Sequence, residues 1–518
     1  MKLSDKAIFW MALLIIGLLY FIYLPVSYDF DGTVFSHFLR YALLENNLSP
    51  VIQSHHLFYF PLNFIIYKIL NQLTGYQVLE YFHLQLFSLV FGLLTLMMSF
   101  RIMKKIIPDR FFSVLGVCLI AGSYGFWSYA VEAEVHMAGL FFVVAGIYVL
   151  FFKSPALKNT ILSALLLSMA SGFHLTNGLI CFSVLIYFIY ERRTLVSWIQ
   201  FFVFYGIFFT VPYLIYSLFI HHNLVKHLLN ILFGVNMFSG YRINRWEGLS
   251  INGVFNSVKA LGASMLVPVS DVFVIISIGL LAGIILMAFA LRHKSGNRQI
   301  MHKIIFWIIP YFLFFCFWES QNIEFKLNMV VPILILFVFS LSGLRRRKLG
   351  KGILIGVSLF LFLVNFFGNI KPRNDITVNK NYLLARAIGD NTAKNSSVFI
   401  AGSGSNSYNY GKIYIPYFAL RNVVILDWKL GKGSTFDLLK QELDAGLNRG
   451  EPVYFLSEIT SMTGTVREVL KKHGLSPLAF NKFIDQIEFS EPIPLINNYY
   501  LRQVLALKPP SGVSHNPD

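Results

Sequence analysis

The chain has 518 residues, of which 56% are hydrophobic and only 13% charged, where an ordinary soluble domain carries roughly 25% charge. Its mean hydropathy of +0.62 excludes a water-soluble globular protein, because so many apolar side chains need lipid as their solvent. The formal net charge of +17 would suit a nucleic-acid-binding protein, but the positions of the basic residues indicate membrane topology instead.

Apolar runs close to the ~20 residues that cross a bilayer recur from the amino terminus to about residue 370, and about eleven can be counted. Clear examples are Phe9–Leu24, Leu84–Phe100, Val272–Leu291 and Leu327–Leu341. No convincing small-residue cleavage site follows the first run, so we expect it to stay as an anchor. In the loop after it, apolar residues at helical spacing over residues 34–43 and 62–70 predict amphipathic helices at the membrane interface.

Basic residues mark every second loop. These loops hold about 19 Lys and Arg against about 3 acids, whereas the opposite loops of the membrane part hold about 7 against 10. The positive-inside rule therefore predicts a multi-pass protein of the cell (inner or plasma) membrane, with its amino terminus in the cytoplasm. An odd number of spans then leaves the chain after about Lys371 on the outer side.

The pattern changes at this point, which divides the chain into a transmembrane domain, residues 1–370, and a soluble extracytoplasmic domain, residues 371–518. Short β-rich runs at residues 397–400, 423–426 and 453–456 alternate with helical stretches at 381–389, 436–447 and 466–473. Such alternation predicts a small α/β domain with a largely parallel sheet. The predicted fold is thus a polytopic α-helical membrane protein with a C-terminal extracytoplasmic α/β domain.

The ionisable residues of the membrane part concentrate on its outer side. Such groups are costly at membrane depth and commonly mark a functional cavity, although loop residues at the boundary can simply be solvated. The candidates are Asp29, Asp31, His55, His56, Glu132, Glu134, His136, His174, Arg242, Arg245, Glu319, Glu324 and Lys326.

Four stretches in the first third of the chain form recognisable motifs: residues 31–35 with Leu39-Arg40, residues 55–62 (His-His-Leu-Phe-Tyr-Phe-Pro-Leu), residues 126–136 (Phe-Trp-Ser to Val-His) and residues 172–177 (Gly-Phe-His-Leu-Thr-Asn). Together they resemble the GT-C glycosyltransferases, in particular their protein O-mannosyltransferase-like branch. Residues 318–325 resemble the same family more weakly. Gly32 and His136 depart from the pattern, where a second acid and a tyrosine are usual.

The resemblance implies transfer of a sugar, with inversion, from a polyprenyl-phosphate carrier to a hydroxyl acceptor on a protein, glycan or lipid. Asp31, with Asp29 in reserve, would be the base that takes the hydroxyl proton. Arg242, Arg245 and Lys326 are the cations available for the leaving phosphate, with His55 and His56 as further candidates. The remaining acids and histidines would line the cavity or bind the acceptor.

A divalent metal is the one cofactor that these residues suggest. Asp29 and Asp31, with Glu132, Glu134 and His136, could hold a hard cation if residues 132–136 were extended, because alternate residues of an extended segment share a face. The neighbouring apolar spans favour a helix there, on which the three side chains would diverge. Metal ligands therefore stay unassigned.

Two other classes of function are compatible with a chain that spans the membrane many times. A secondary transporter or lipid flippase would also carry charges in its membrane part, but the sequence lacks the repeated halves with broken helices that transporters usually show. A membrane scaffold whose carboxyl domain binds a partner would be favoured if the acids of the first loop were exposed and remote from any cavity.

Overall fold

The computed structural model describes residues 5–48, 54–220, 250–268, 270–290, 295–402, 410–430 and 436–508. The chain forms two compact units. The first comprises Met1–Pro25 and Phe38–Asn374, and the second comprises Val26–His37 and Asp375–Asp518. Residues 26–37, which the sequence analysis counted with the transmembrane domain, thus belong to the second unit.

The described part of the first unit is helical. Its apolar runs form helices because a helix pairs its backbone hydrogen-bonding groups internally, which lipid requires. The helices are Asp5–Ile22, Phe30–Glu45 (shared with the second unit), Tyr59–Thr74, Glu80–Ile106, Arg110–Gly122, Tyr124–Val131, His136–Phe152, Leu157–Phe173, Ile180–Tyr190, Leu195–Ile220, Ile251–Met265, Asp271–Ala290, Ser295–Phe317, Leu327–Ser342 and Arg347–Asn365.

Five of the described helices are long and apolar enough to cross a membrane, and a bent pair, Arg110–Gly122 with Tyr124–Val131, would make a sixth. Several shorter apolar helices lie among them, including His136–Phe152 and Leu157–Phe173. The chain is thus a polytopic helical membrane protein, and the figure of eleven spans stays a prediction.

The bent pair turns by 68° at Ser123, whose backbone is extended. Such a break frees carbonyl groups from the helical hydrogen bonds, and in lipid each must find another donor. The buried amide of Asn365 supplies one, because its Nδ2 donates to the Gly122 carbonyl at 2.8 Å and to the Met265 carbonyl at 2.9 Å. One polar side chain thus holds three segments together in an apolar core.

The second unit contains a six-stranded sheet in the order β2-β1-β3-β6-β4, with β5 paired to β6. Its strands are β1 (Ser397–Ile400), β2 (Asn422–Ile425), β3 (Val453–Leu456), β4 (Ile487–Phe489), β5 (Ile493–Pro494) and β6 (Tyr500–Leu507). β1 pairs in parallel with β2 and β3, whereas β6 runs antiparallel to β3, β4 and β5. The sheet is therefore mixed, with the predicted parallel strands at one side.

Both faces of the sheet are covered. All four residues of β1 and of β3 are buried, as expected of parallel strands with helices on each side. Phe399 and Phe455, paired in register, stack on one face with ring centroids 4.7 Å apart. The longer helices that accompany the sheet are Lys380–Asn391, Asp437–Asn448, Gly464–Lys472 and Pro477–Asp485.

Candidate active site

The chain leaves helical geometry between Val131 and His136. Glu132 has an extended backbone, with φ −89° and ψ 157°, so the expectation of a helix through this segment was wrong. The physical reason is that a tight connection joins two buried helices here. The Ser88 hydroxyl on a neighbouring helix donates to the Glu134 carbonyl at 3.0 Å, which satisfies a group that a helix would have paired.

Glu132 and Glu134 bind different partners, although both are buried. The Glu132 carboxylate accepts a hydrogen bond from the Tyr81 hydroxyl at 2.9 Å and forms an ion pair with Arg373. A buried carboxylate needs such compensation for its lost hydration. The Glu132 carboxylate is therefore held by a tyrosine and an arginine of the same unit.

Glu134 faces His136 instead. The Nε2 atom of His136 lies 4.0 Å from a Glu134 oxygen and 3.6 Å from a Glu324 oxygen. Asn322 in turn donates to the Glu324 carboxylate at 2.8 Å and to that of Glu319 at 3.1 Å. Three of the predicted acids, Glu134, Glu319 and Glu324, thus lie around the His136 imidazole and the Asn322 amide.

Three further histidines continue from His136 in a row. The ring centroids of His136 and His174 are 5.1 Å apart, those of His174 and His56 5.0 Å, and those of His56 and His55 4.1 Å. We call these four residues the histidine row. Phe325 packs against both His136 and His174, with ring centroids 6.0 and 5.7 Å apart, and the Tyr129 ring lies 5.5 Å from His136, so aromatic rings flank this end of the row.

Hydrogen bonds indicate which ring nitrogen carries the proton in two of these histidines, His56 and His174, when they are neutral. His56 Nδ1 lies 3.0 Å from the Phe173 carbonyl, which only accepts, so Nδ1 bears the hydrogen. His174 Nδ1 accepts from the Thr176 backbone N–H at 3.3 Å, so its hydrogen is on Nε2. Burial, with the adjacent His55 and His174, holds the pKa of His56 well below its usual range. A positive charge at His56 is therefore disfavoured by its surroundings.

An asparagine joins the elements that carry these groups. The Asn177 amide donates to the Ala170 carbonyl at 2.9 Å and accepts from Asn328 at 2.8 Å. It also lies against Gly139, where an added Cβ would come within 2.3 Å of Nδ2. Glycine at 139 therefore lets the helix that begins at His136 approach Asn177, three residues after His174.

Lys326 lies in a short 3₁₀ helix, Glu324–Lys326, that precedes the helix Leu327–Ser342. Its side chain is fully buried, and Nζ stands 4.9 Å from the centroid of the Phe315 ring. A cation over an aromatic face recovers part of its hydration energy. An interior ammonium group is costly even so, which makes this lysine a candidate for binding an anion.

The two first-loop acids belong to the second unit. Asp29 precedes the helix Phe30–Glu45 and caps it, because its Oδ2 accepts from the Asp31 backbone N–H at 3.0 Å. Asp31 lies in the first helical turn with an exposed side chain. The predicted base therefore has a fixed backbone position, which Asp29 helps to set.

Arg242 and Arg245 lie outside the described residues. Sequence reasoning missed three partners of the candidate acids: Tyr81 and Arg373, which bind Glu132, and Asn322, which binds Glu319 and Glu324. Asn322 stands between two acids that were singled out, which is a local signal. Arg373 is 241 residues from its partner Glu132, and no local pattern relates them.

The helical first unit, its buried carboxylates and its histidine row define a polytopic membrane protein with a polar site inside an apolar bundle. No family model and no curated protein sequence matches the chain. The fold, in contrast, matches solved structures, and the sequence identities are low.

The chain is similar to ArnT from Cupriavidus metallidurans bound to undecaprenyl phosphate, with a TM-score of 0.61, 11% identity, and coverage of 96% of this chain and 99% of that one. For the same protein in the apo state the TM-score is 0.60 at 11% identity, with 95% and 97% covered. The S. cerevisiae protein O-mannosyltransferase Pmt1-Pmt2 complex bound to the sugar donor gives a TM-score of 0.32 at 16% identity, with 42% and 33% covered. This chain therefore has the fold of ArnT over nearly its whole length, and that fold agrees with the GT-C resemblance of its motifs.

Proposed function

We propose that this protein is a membrane glycosyltransferase that moves a sugar from a polyprenyl-phosphate carrier to a hydroxyl acceptor on the outer face of the membrane. The observation that carries the proposal is the cluster of Glu134, His136 and Glu324 with the histidine row, inside a GT-C fold. The similarity in fold to ArnT, which was solved with undecaprenyl phosphate, supports the choice of donor.

The proposed reaction is a single inverting displacement. The acceptor oxygen attacks the anomeric carbon on the face opposite the phosphate, a C–O bond forms, and the bond from that carbon to the phosphate oxygen breaks. The Asp31 carboxylate takes the proton of the acceptor hydroxyl. Asp29 holds the start of the helix Phe30–Glu45 and thereby fixes the position of Asp31.

The lipid phosphate leaves with a negative charge, which a cation in a low-dielectric site stabilises strongly. Among the residues that the structure describes, Lys326 is the candidate cation for this phosphate, because burial and an aromatic neighbour keep its ammonium group away from bulk water. Arg242 and Arg245 remain candidates by sequence, and His55 and His56 at the end of the histidine row could donate hydrogen bonds to a phosphate.

The remaining groups would bind the sugar or the acceptor. Glu134, Glu324 and Glu319 offer carboxylate oxygens to hydroxyl groups, and the imidazoles of His136 and His174 can donate or accept. Glu132 has a different role, since its carboxylate is committed to Tyr81 and Arg373.

The proposed orientation in the inner or plasma membrane puts the amino terminus in the cytoplasm and the residues after about Lys371 on the outer side. It rests on the alternation of basic loops with loops that are poor in Lys and Arg. Reporter fusions after Asp518 test this. If a reporter that functions only in the cytoplasm were active when fused after Asp518, the proposed orientation would be contradicted.

Donor binding tests the function. We expect native mass spectrometry of the purified protein to detect a bound polyprenyl phosphate, and Lys326→Gln to weaken that binding by about tenfold or more, since a charge-assisted hydrogen bond is worth about 1.5–3 kcal/mol. Lys326→Arg keeps the charge and should retain binding. Lys348→Gln is the matched control, because Lys348 is an exposed lysine in the first turn of the helix Arg347–Asn365.

Equal lipid binding by Lys326→Gln and Lys348→Gln would remove Lys326 from the phosphate site. Failure of the wild-type protein to bind any polyprenyl phosphate, while eluting as a folded species, would contradict the proposed donor.

A further inference from the structure

The second unit has an open cavity of 630 Å³. This volume lies within the range of small-molecule sites, about 300–1,000 Å³. The start of the helix Lys380–Asn391 and the turn between β5 and β6 form much of its wall, which includes Asn379, Lys380, Asn381, Leu384, Asn497 and Asn498. Among the lining residues the exposed Lys380 is the one that is charged, and none is acidic.

Three of the four lining amides have their hydrogen-bonding capacity available. Within the part of the chain that the structure describes, the side chains of Asn381, Asn497 and Asn498 make no hydrogen bond. Asn379 differs, because it accepts from the Tyr382 backbone N–H at 2.9 Å and donates to the Ser27 carbonyl. Three amides with six N–H donors between them and three carbonyl acceptors therefore converge on one cavity.

The turn explains part of this arrangement. Asn497 and Asn498 have φ of 54° and 63°, and the Tyr499 N–H donates to the Ile496 carbonyl at 3.0 Å. A hairpin turn with two positive φ angles favours asparagine or glycine for conformational reasons alone. Asn381 lies in the first turn of the helix Lys380–Asn391 with a negative φ, so no such conformational requirement selects asparagine there.

Each amide can donate and accept at once, which matches the hydroxyl groups of a sugar. The ring of Tyr499 and the side chain of Leu384, also in the wall, offer apolar surface for the C–H face of a pyranose. We propose that this cavity binds a neutral carbohydrate, the glycan portion of the acceptor. This assignment to the acceptor rests on the proposed glycosyl transfer, whereas the binding itself does not.

Saturation-transfer difference NMR tests the binding on the full-length protein in lipid nanodiscs, which avoid sugar-based detergents. The probes are mannotriose, chitotriose and maltotriose at millimolar concentration, with a serine- and threonine-rich peptide for comparison. We expect at least one trisaccharide to bind. Asn381→Ala and Asn498→Gly should each weaken it about three- to tenfold, as expected for the loss of hydrogen bonds to a neutral ligand. Glycine retains the positive φ of residue 498.

Asn448→Ala is the matched control, an exposed asparagine in the same unit that does not line the cavity. It should leave binding unchanged. The inference is overturned if no trisaccharide binds, if both cavity variants bind sugar as the wild type does, or if the peptide binds in place of sugars.

Donor-lipid binding measured on the same samples separates the two proposals. Lipid binding without sugar binding would contradict the carbohydrate site alone. Sugar binding that both cavity variants weaken, in a protein that binds no polyprenyl phosphate, would support the site and contradict the proposed function.

Discussion

Replacing Glu132 by glutamine should destabilise the first unit, because it removes the charge that pairs with Arg373. The side chains of Glu132 and Arg373 are 4% and 23% exposed, so the strength of this ion pair should lie between that of an exposed pair and that of a buried pair. Exposed pairs contribute about 0.2–1 kcal/mol, and breaking a buried pair costs about 3–5 kcal/mol. We therefore expect Glu132→Gln to lower the free energy of unfolding by about 2 kcal/mol.

The assay is unfolding by SDS in mixed micelles, followed by tryptophan fluorescence, in a double-mutant cycle with Arg373→Gln. Asp109→Asn is the control, because Asp109 pairs with Lys351 at 2.7 Å in a more exposed setting, with side chains 24% and 33% exposed. Asparagine also keeps the cap on the Phe111 N–H, so this variant should cost less than about 0.5 kcal/mol. The reasoning fails if Glu132→Gln costs no more than Asp109→Asn, or if the cycle shows no coupling.

Three other expectations concern packing and charge in both units. The Arg421 guanidinium donates to the Ala419, Gly389 and Thr392 carbonyls and to the Thr392 hydroxyl. Lysine has fewer donors and lacks the planar guanidinium, so Arg421→Lys should destabilise the second unit by about 2 kcal/mol. Hydrogen exchange should show this as faster exchange of the amides of residues 380–391. Gly172→Ala would place a Cβ 2.3 Å from the Phe58 ring and should cost about 1–3 kcal/mol, with partial recovery by adding Phe58→Leu. Burial alone would raise the pKa of Asp427, but hydrogen bonds from Lys472 and His473 hold it below its ordinary value. Its stabilising effect is therefore complete above pH ~4 and is lost as the pH falls through the lower native pKa, so pepsin sensitivity should rise below pH ~4 in the wild type relative to Asp427→Asn.

Local patterns predicted the elements whose residues are uniformly buried. The runs at 397–400 and 453–456 are strands with every residue buried, and continuous apolar sequence is the signal of such strands. β6 was missed, because Tyr500–Leu507 contains Arg502 and Gln503 and its burial is mixed. An antiparallel strand near an edge has a weaker pattern, so the predicted parallel sheet proved to be mixed.

The candidate site shows a different limit. Sequence reasoning singled out Glu134, His136 and Glu324 as ionisable groups in apolar surroundings, and the structure brings them together. It grouped Glu132 with them as well, because a charge pattern cannot reveal that a distant arginine neutralises one of two neighbouring acids. The roles assigned to Asp31 and Lys326 stay predictions, since they depend on ligands rather than on the fold.

Sugar transfer by purified protein tests the central claim most directly. Wild type, Asp31→Asn and Asp29→Asn would be compared with a radiolabelled polyprenyl-phosphate sugar, with native mass spectrometry to verify donor binding. Because a general base contributes about 10²- to 10⁴-fold, Asp31→Asn should lower transfer by that factor with donor binding retained. Asp29→Asn should retain most activity, because asparagine caps a helix about as well as aspartate. Normal transfer by both variants would contradict a first-loop base, and a wild-type protein that binds the donor but transfers no sugar to any hydroxyl acceptor would contradict the proposed function.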